Sequence, residues 1–260
     1  MAIRCLVWGE NIHERESKDV AAIYPLGMHR TIATALNAEP AISATTATLQ
    51  EADHGCSAEV LARTDVLVWW GHAAHEAVAD AVVERIVQQV WTGMGLVVLH
   101  SAHFSKLFLR LMGSPCALKW REAGELERVW VVHPTHPIAR GLPSYFELEH
   151  EEMYCEPFSV PEPLETVFIS WFRGGEVFRS GLTYQRGAGK IFYFRPGHET
   201  YPTYHDKNVQ KVLQNAVQWA VQPKRWASIT DAPNVAVEQA LEPISEREPK
   251  THESGKASFR

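Results

Sequence analysis

Three short apolar runs constrain this chain most: residues 3–8 (IRCLVW), 65–70 (DVLVWW) and 95–100 (GLVVLH). None alternates apolar with polar residues, so none reads as a strand with one wet face. A continuously apolar strand needs cover on both sides, and helices give that cover in a parallel sheet. The segments between the runs supply the helices. Residues 27–36 have helical character and are stopped by Pro40, and residues 41–48 read as a further strand. Val78, Val82, Ile86 and Val90 recur every four residues, the stripe of a helix lying on a sheet. Gly93 and Gly95 end that stripe, and residues 104–112 read as the helix after the next strand.

The pattern changes after Gly113. Residues 129–133, 166–172, 177–184 and 190–195 read as strands with no long helix between them, and Gly174-Gly175 marks a hairpin turn. A last helix carries Val209, Val212, Leu213, Ala216, Val217 and Ala220 on one face. The expected fold is a three-layer α/β core extended by a more antiparallel second half. Residues 1–222 are expected to form that α/β domain. Residues 223–260 form a C-terminal extension, with a short helix expected at 234–241. The remainder is charged, broken by Pro243, Pro249 and Gly255, and too poor in apolar residues to offset its ordering entropy.

A formal charge of −6 with scattered Lys and Arg gives no electrostatic case for nucleic acid. No apolar run approaches the roughly 18 residues that span a bilayer, and the N-terminus is too short in apolar residues for a signal peptide. Cys5, Cys56, Cys116 and Cys155 have neither close pairing nor CxxC spacing, so free thiols in a reducing, cytoplasmic setting are expected. Thirteen His and nine Trp are more unusual: imidazole suits proton transfer and metal ligation near neutral pH. Trp69, Trp70 and Trp120 are candidates for a contact between copies in a homo-oligomer, with core packing as the alternative.

Four polar clusters follow expected strands: Gly9-Glu10-Asn11-Ile12-His13-Glu14, Gly71-His72-Ala73-Ala74-His75-Glu76, His100-Ser101-Ala102-His103 and Pro196-Gly197-His198-Glu199. In a doubly wound sheet the carboxyl ends of strands meet at one crevice. H-x-x-H spacing occurs at His72/His75, His100/His103 and His133/His136. Two His supply at most half a metal site, and the last pair reads as a Pro-shaped turn with solvated rings. The acidic run 148–154 (LEHEEMY) reads as a charged face with some carboxylates turned inward, Glu149, His150 and Glu152 being candidates. In residues 194–204 (FRPGHETYPTY), Arg195 could fix an anion or hydroxyls through its planar fork. His198 and Glu199 offer a base and a carboxylate, and Tyr201 and Tyr204 offer ring surface for a sugar.

Taken together, NIHERE, AAIYPLGMH, WWGH, GLVVLHSAHFSKLFLRLMG, LKWREAGE, FELEHEEMY, FISWFRGGEVFRSG and KIFYFRPGHETYPTYH resemble the ThuA-like family, named for trehalose utilisation. The resemblance covers residues 3–220. It implies a flavodoxin-like α/β sandwich similar to class I glutamine amidotransferases, in which a Cys sits on the elbow after the central strand and a His and a Glu come late in the chain. Here Ser101 stands near the Cys position and His198-Glu199 near the late pair. That pair is contiguous rather than spaced by one residue, and the elbow lacks the flanking glycines of G-x-S-x-G. Glutaminase activity is therefore not expected.

The resemblance implies work on trehalose-type disaccharides or their 3-keto derivatives, beside a partner dehydrogenase. WGENIH stands where a G-x-G-x-x-G would follow the first strand, so this chain is not expected to bind NAD. His103 is expected to project into the crevice beside Glu152 and His198, forming an acid–base cluster or a site for a divalent metal such as zinc. Glu199 and Ser101 join the catalytic candidates, and His13, His72, Arg195 and Tyr201 are the candidates for holding sugar. A base there could take the proton beside a keto-sugar carbonyl while Arg195 or a metal steadies the enolate, leading to elimination or isomerisation. The alternatives are a non-catalytic sugar-binding or regulatory subunit, and a Ser hydrolase in which His198 activates Ser101.

Overall fold

Strand β1 (Ile3–Gly9) is apolar because it lies inside the molecule, with β2 (Ile42–Thr48) on one side and β3 (Val66–Trp70) on the other, both parallel to it. The computed structural model describes residues 2–223, 225, 226 and 241–243. Residues 234–240 of the expected short helix, and nearly all of the polar tail, lie outside these. Strand β4 (Gly95–Leu99) pairs parallel with β3. The chain then builds β5 (Lys119–Val131), β6 (Tyr145–Cys155), β7 (Glu165–Phe172), β8 (Val177–Arg186) and β9 (Gly189–Phe194). One nine-stranded sheet results, in the order β2-β1-β3-β4-β9-β8-β7-β5-β6. It is parallel from β2 to β9 and antiparallel beyond.

Successive residues of the inner strands point to opposite faces, and each face has its own core. Leu6, Trp8, Leu67, Trp69, Leu96 and Val98 pack with α4 (Ala58–Ala62), α5 (Asp80–Trp91) and α6 (Lys106–Met112). Cys5, Val7, Val68, Trp70, Val97 and Leu99 pack with α2 (Lys18–Ile23), α3 (Met28–Asn37) and α7 (Lys207–Ala220). A single turn, α1 (His13–Glu16), precedes α2, and the Glu14 carboxylate accepts the Met28 N–H at the start of α3. Trp8 and Trp69 are register partners and stack at 3.7 Å between ring centroids. Trp69 and Trp70 are therefore core residues, and only Trp120 of the three tryptophans named for a contact between copies is exposed.

Three readings from sequence need correction. The acidic run forms a strand, β6, exposed at Glu149 and His150 and turned inward at Glu151 and Glu152, and β5 starts ten residues earlier than expected. Along β6 the alternation of Phe146 and Leu148 inward with Glu147 and Glu149 outward is plain, but from Glu151 to Tyr154 both faces are buried. Register shifts between Arg121 and Glu125 and again before Glu127 break the two-residue period of β5, which hides it from pattern reading. His136 is also not solvated. It is buried, its Nδ1 accepts the Ile138 N–H at 3.1 Å, and its Nε2 lies 3.1 Å from Glu165. All four cysteines are free, and among the described residues no helix is long and apolar enough to cross a membrane.

Candidate functional site

Register places the site. Gly9 is paired with Trp70, Trp70 with Leu99, and Leu99 with Phe194, so four parallel strands end in one row. The loops beginning at Glu10, Gly71, His100 and Arg195 therefore leave the same edge, where open α/β sheets form ligand crevices. Glu10, buried at the first of these ends, ties the second loop down by accepting the N–H groups of Ala73 and Ala74 at 2.9 and 3.0 Å.

His100 takes the sharp turn after β4 with φ of +51°, a left-handed conformation uncommon for any side chain. Its Nδ1 lies 3.0 Å from the Arg195 carbonyl, which can only accept, so the proton sits on Nδ1 and Nε2 carries a lone pair. That nitrogen faces Glu152 Oε2 at 3.2 Å, and neither atom has a hydrogen-bond partner among the described residues. Burial, followed by the nearby His72 and Arg195, holds the His100 pKa well below its ordinary value. At neutral pH the ring is thus an uncharged acceptor aimed at a carboxylate. Two acceptors this close repel unless a proton or a cation lies between them.

Ser101 follows, with Oγ 2.8 Å from the Gly71 carbonyl and 2.7 Å from His72 Nδ1. The hydroxyl has one proton, and the carbonyl must receive it, so His72 Nδ1 donates to Oγ and His72 Nε2 keeps its lone pair. No base accepts the Ser101 proton. His72 Nδ1 is also 3.8 Å from Glu199 Oε2, and His13 Nδ1 is 3.4 Å from Glu199 Oε1. Glu199 is buried, and burial raises its pKa although His13 opposes that.

His198 completes the group. Its ring centroid is 5.4 Å from those of both His72 and His100, and burial with the neighbouring His100 lowers its pKa to about 3. Donor atoms of His100, Glu152 and His198 lie within 4.8 Å of one another, and so do those of His72, His198 and Glu199. Two three-residue donor sets share His198.

Beside these sets opens a crevice of about 480 Å³, walled by His72, His75, Ser101, His103, Glu122 and Glu152, with Phe104, Trp120 and Tyr154 as aromatic surface. His103 is on this wall but outside both donor sets. Its Nδ1 donates to the Cys116 carbonyl at 2.8 Å, and burial lowers its pKa to about 4. Tyr201 lies near the cluster, 5.5 Å from the His198 ring, whereas Tyr204 is fully buried. Glu149 and His150 are exposed on β6.

Arg195 does not face the crevice. Its guanidinium is wholly enclosed, bonded to Glu127, 3.3 Å from Glu151 Oε2 and donating to the Glu152 carbonyl. It cannot reach a sugar, but its two ends steady the backbone of Glu152 and the ring of His100. Sequence reading grouped His100 with its neighbours but gave weight to His103, and it gave Glu127 and Glu151 no role. Only the position of His100 as the first residue after the strand could have pointed to it.

The sequence profile of the family described as ThuA, trehalose utilisation, matches residues 4–220. The chain belongs to the ThuA family. No match was found among curated proteins. Among solved structures, the chain is similar to a protein of Parabacteroides merdae named as ThuA-like, at 15% identity and a TM-score of 0.65, over 86% of this chain and 92% of that one. It is similar to a cytoplasmic protein of Salmonella typhimurium at 15% identity and a TM-score of 0.55, over 85% and 100%. It also resembles a Thermoplasma acidophilum protein named for part of a GMP synthase, at 12% identity and a TM-score of 0.51, over 84% and 94%. These likenesses concern the fold. In this ThuA-family chain every residue of both donor sets lies inside the matched region, and the strained residue of the elbow is an imidazole rather than a hydroxyl or thiol.

Proposed function

We propose that this ThuA-family protein is a carbohydrate-catabolism enzyme that acts on an oxidised, 3-keto disaccharide by acid–base chemistry. The proposed setting is a flavodoxin-like three-layer fold of the glutamine amidotransferase type. The parallel strands support that fold, since β2-β1-β3-β4-β9 has the flavodoxin-like order. One observation supports the function: uncharged imidazoles and carboxylates from separate strand ends crowd one edge of the sheet beside a crevice that His72 and Glu152 wall, with buried acceptor atoms left unpaired. Binding alone calls for hydrogen-bond donors, whereas this edge is rich in acceptors.

Glu199 is the proposed base. One of its oxygens faces His13, the other is buried 3.8 Å from His72 Nδ1 without a hydrogen-bond partner among the described residues, and burial makes the carboxylate a stronger proton acceptor than usual. A proton on the carbon beside a ketone passes to Glu199, and the electron pair enters the enolate. That pair either expels the glycosidic oxygen, which leaves as a hydroxyl with the proton returned by Glu199, giving elimination, or, once the adjacent hydroxyl proton has moved to the former ketone oxygen, takes the Glu199 proton at the neighbouring carbon, giving isomerisation. His72, with its proton fixed on Nδ1, offers Nε2 as the next acceptor in the relay. The crevice volume falls in the usual range for small ligands, and exposed Trp120 and Phe104 provide faces for the sugar rings. Ser101 serves to position His72 rather than to attack. The ketone is made by a separate dehydrogenase, and the protein works in the cytoplasm as a homo-oligomer.

Turnover of a 3-keto disaccharide by the purified protein is the test. Glu199→Gln and His198→Ala are each expected to reduce it at least about 100-fold, the lower range for acid–base groups. Full turnover in both variants, or none in the parent protein with any oxidised disaccharide offered, would refute the reading. Tight sugar binding with no product would favour a non-catalytic sugar-binding role instead.

A further inference from the structure

We propose that His100, Glu152 and His198 form a binding site for a divalent first-row transition ion, zinc foremost, and that His103 has no part in it. The three side chains come from the end of β4, the middle of β6 and the loop after β9, and each is at least nine-tenths buried. Segments so far apart in sequence rarely bring unpaired acceptors together in a dry interior, because an unsatisfied buried polar atom is costly. Here His100 Nε2 and Glu152 Oε2 are both unpaired and 3.2 Å apart.

Three details fit an ion rather than a simple hydrogen bond. The His100 tautomer is fixed by a backbone carbonyl behind it, the outer contact that metal-ligating imidazoles almost always make. The same Arg195 that supplies this carbonyl grips the Glu152 backbone, so both donors are aimed by one rigid group. The left-handed backbone at His100 is retained although the residue is not glycine, and such outliers gather at functional sites. Two imidazoles and one carboxylate suit borderline ions such as zinc better than magnesium or calcium, which prefer oxygen. Three protein donors are the number found at catalytic zinc sites, not at closed structural ones. Glu152 also walls the crevice, so the ion would face the space proposed for substrate.

The test needs no sugar, so its failure and that of the proposed reaction are separable. Full-length protein is stripped with chelator and dialysed. It is then titrated with Zn²⁺ and with Co²⁺, counting bound ions by elemental analysis and following the visible absorption of cobalt. One ion per chain is expected, with cobalt bands of a nitrogen- and oxygen-ligated ion. Glu152→Gln and His100→Gln are each expected to weaken binding tenfold or more, and His103→Gln to change it less than twofold. Circular dichroism verifies that each variant is folded. Should His100→Gln not fold, Glu152→Gln, which keeps size and shape, decides alone. No bound ion would overturn the proposal and leave a shared proton between His100 and Glu152. Undiminished binding in Glu152→Gln, or equal loss in His103→Gln, would overturn it as well.

Discussion

Glu151 and Glu152 are consecutive residues of β6, both buried, and their surroundings are opposite. Glu151 Oε1 accepts from the Gly197 N–H at 3.1 Å and from the Thr203 hydroxyl, and its other oxygen lies 3.3 Å from the Arg195 guanidinium. Each of its oxygens faces a donor or a cation. Glu152 turns to the other side and meets the lone pair of His100. The strand's two-residue alternation is what sends the two carboxylates apart. A buried carboxylate surrounded by donors is part of the structure that holds the site. One whose oxygen faces another acceptor is left for chemistry, since among the described residues no donor or cation meets that oxygen. Residue type and burial are the same in the two cases, so neither identifies function; the partners do.

The largest effect should come from the closed side of this pair. Arg195→Met strands Glu127 and Glu151 in the interior, and the loss of one partner from a buried ion cluster typically costs about 3–5 kcal/mol. Equilibrium denaturation measures it, and a loss under about 1 kcal/mol would mean that Arg195 is not what holds these carboxylates. The open side should behave in the reverse way. Glu152→Gln is expected to change stability by less than about 1 kcal/mol while lowering turnover roughly 100-fold, equivalent to about 2.7 kcal/mol of barrier. A variant that unfolds but turns over normally when folded would erase the distinction between the two neighbours.

A smaller effect contrasts two other carboxyls in titration, one ruled by an arginine and one by burial. Burial alone would raise Glu156, but Arg179 and the N–H groups of Phe158 and Arg179 outweigh it and hold the carboxyl below its ordinary value. Glu199 shifts upward, because burial there exceeds the help from His13. The signs for stability are opposite. A depressed carboxyl stabilises the fold above its unfolded pKa, and that share is lost as pH falls through the folded value. A raised one stabilises it below the unfolded pKa, and that share is lost as pH climbs through the folded value. Carboxyl titrations of metal-free protein by NMR should place Glu156 and Glu199 on opposite sides of an ordinary glutamate. Both shifting the same way would show that Arg179 does not outweigh burial at Glu156, or that burial does not prevail over His13 at Glu199.

Much of the scaffold was legible because burial on two faces leaves a coarse signature. The runs before Gly9, Gly71 and His100 could only be central strands, and the stripe from Val82 to Val90 could only be a helix on a sheet. The clustering of His and Glu after strand ends was equally readable, because topology alone sends those loops to one edge. Strand β6 was missed because its second half is acidic and yet buried, which composition reads as a surface.

The sequence by itself determined the order of apolar strands, the helices that cover them, and thus which polar loops share an edge. Burial and periodicity are local properties that a linear pattern carries. Only the tertiary structure decided which side chain at that edge meets which. It turned Arg195 inward, chose His100 over His103 beside Glu152, and parted Glu151 from Glu152. Those choices depend on distances of a few ångströms between segments far apart in the chain, set by strand register and one strained turn, and neither leaves a mark in residue spacing.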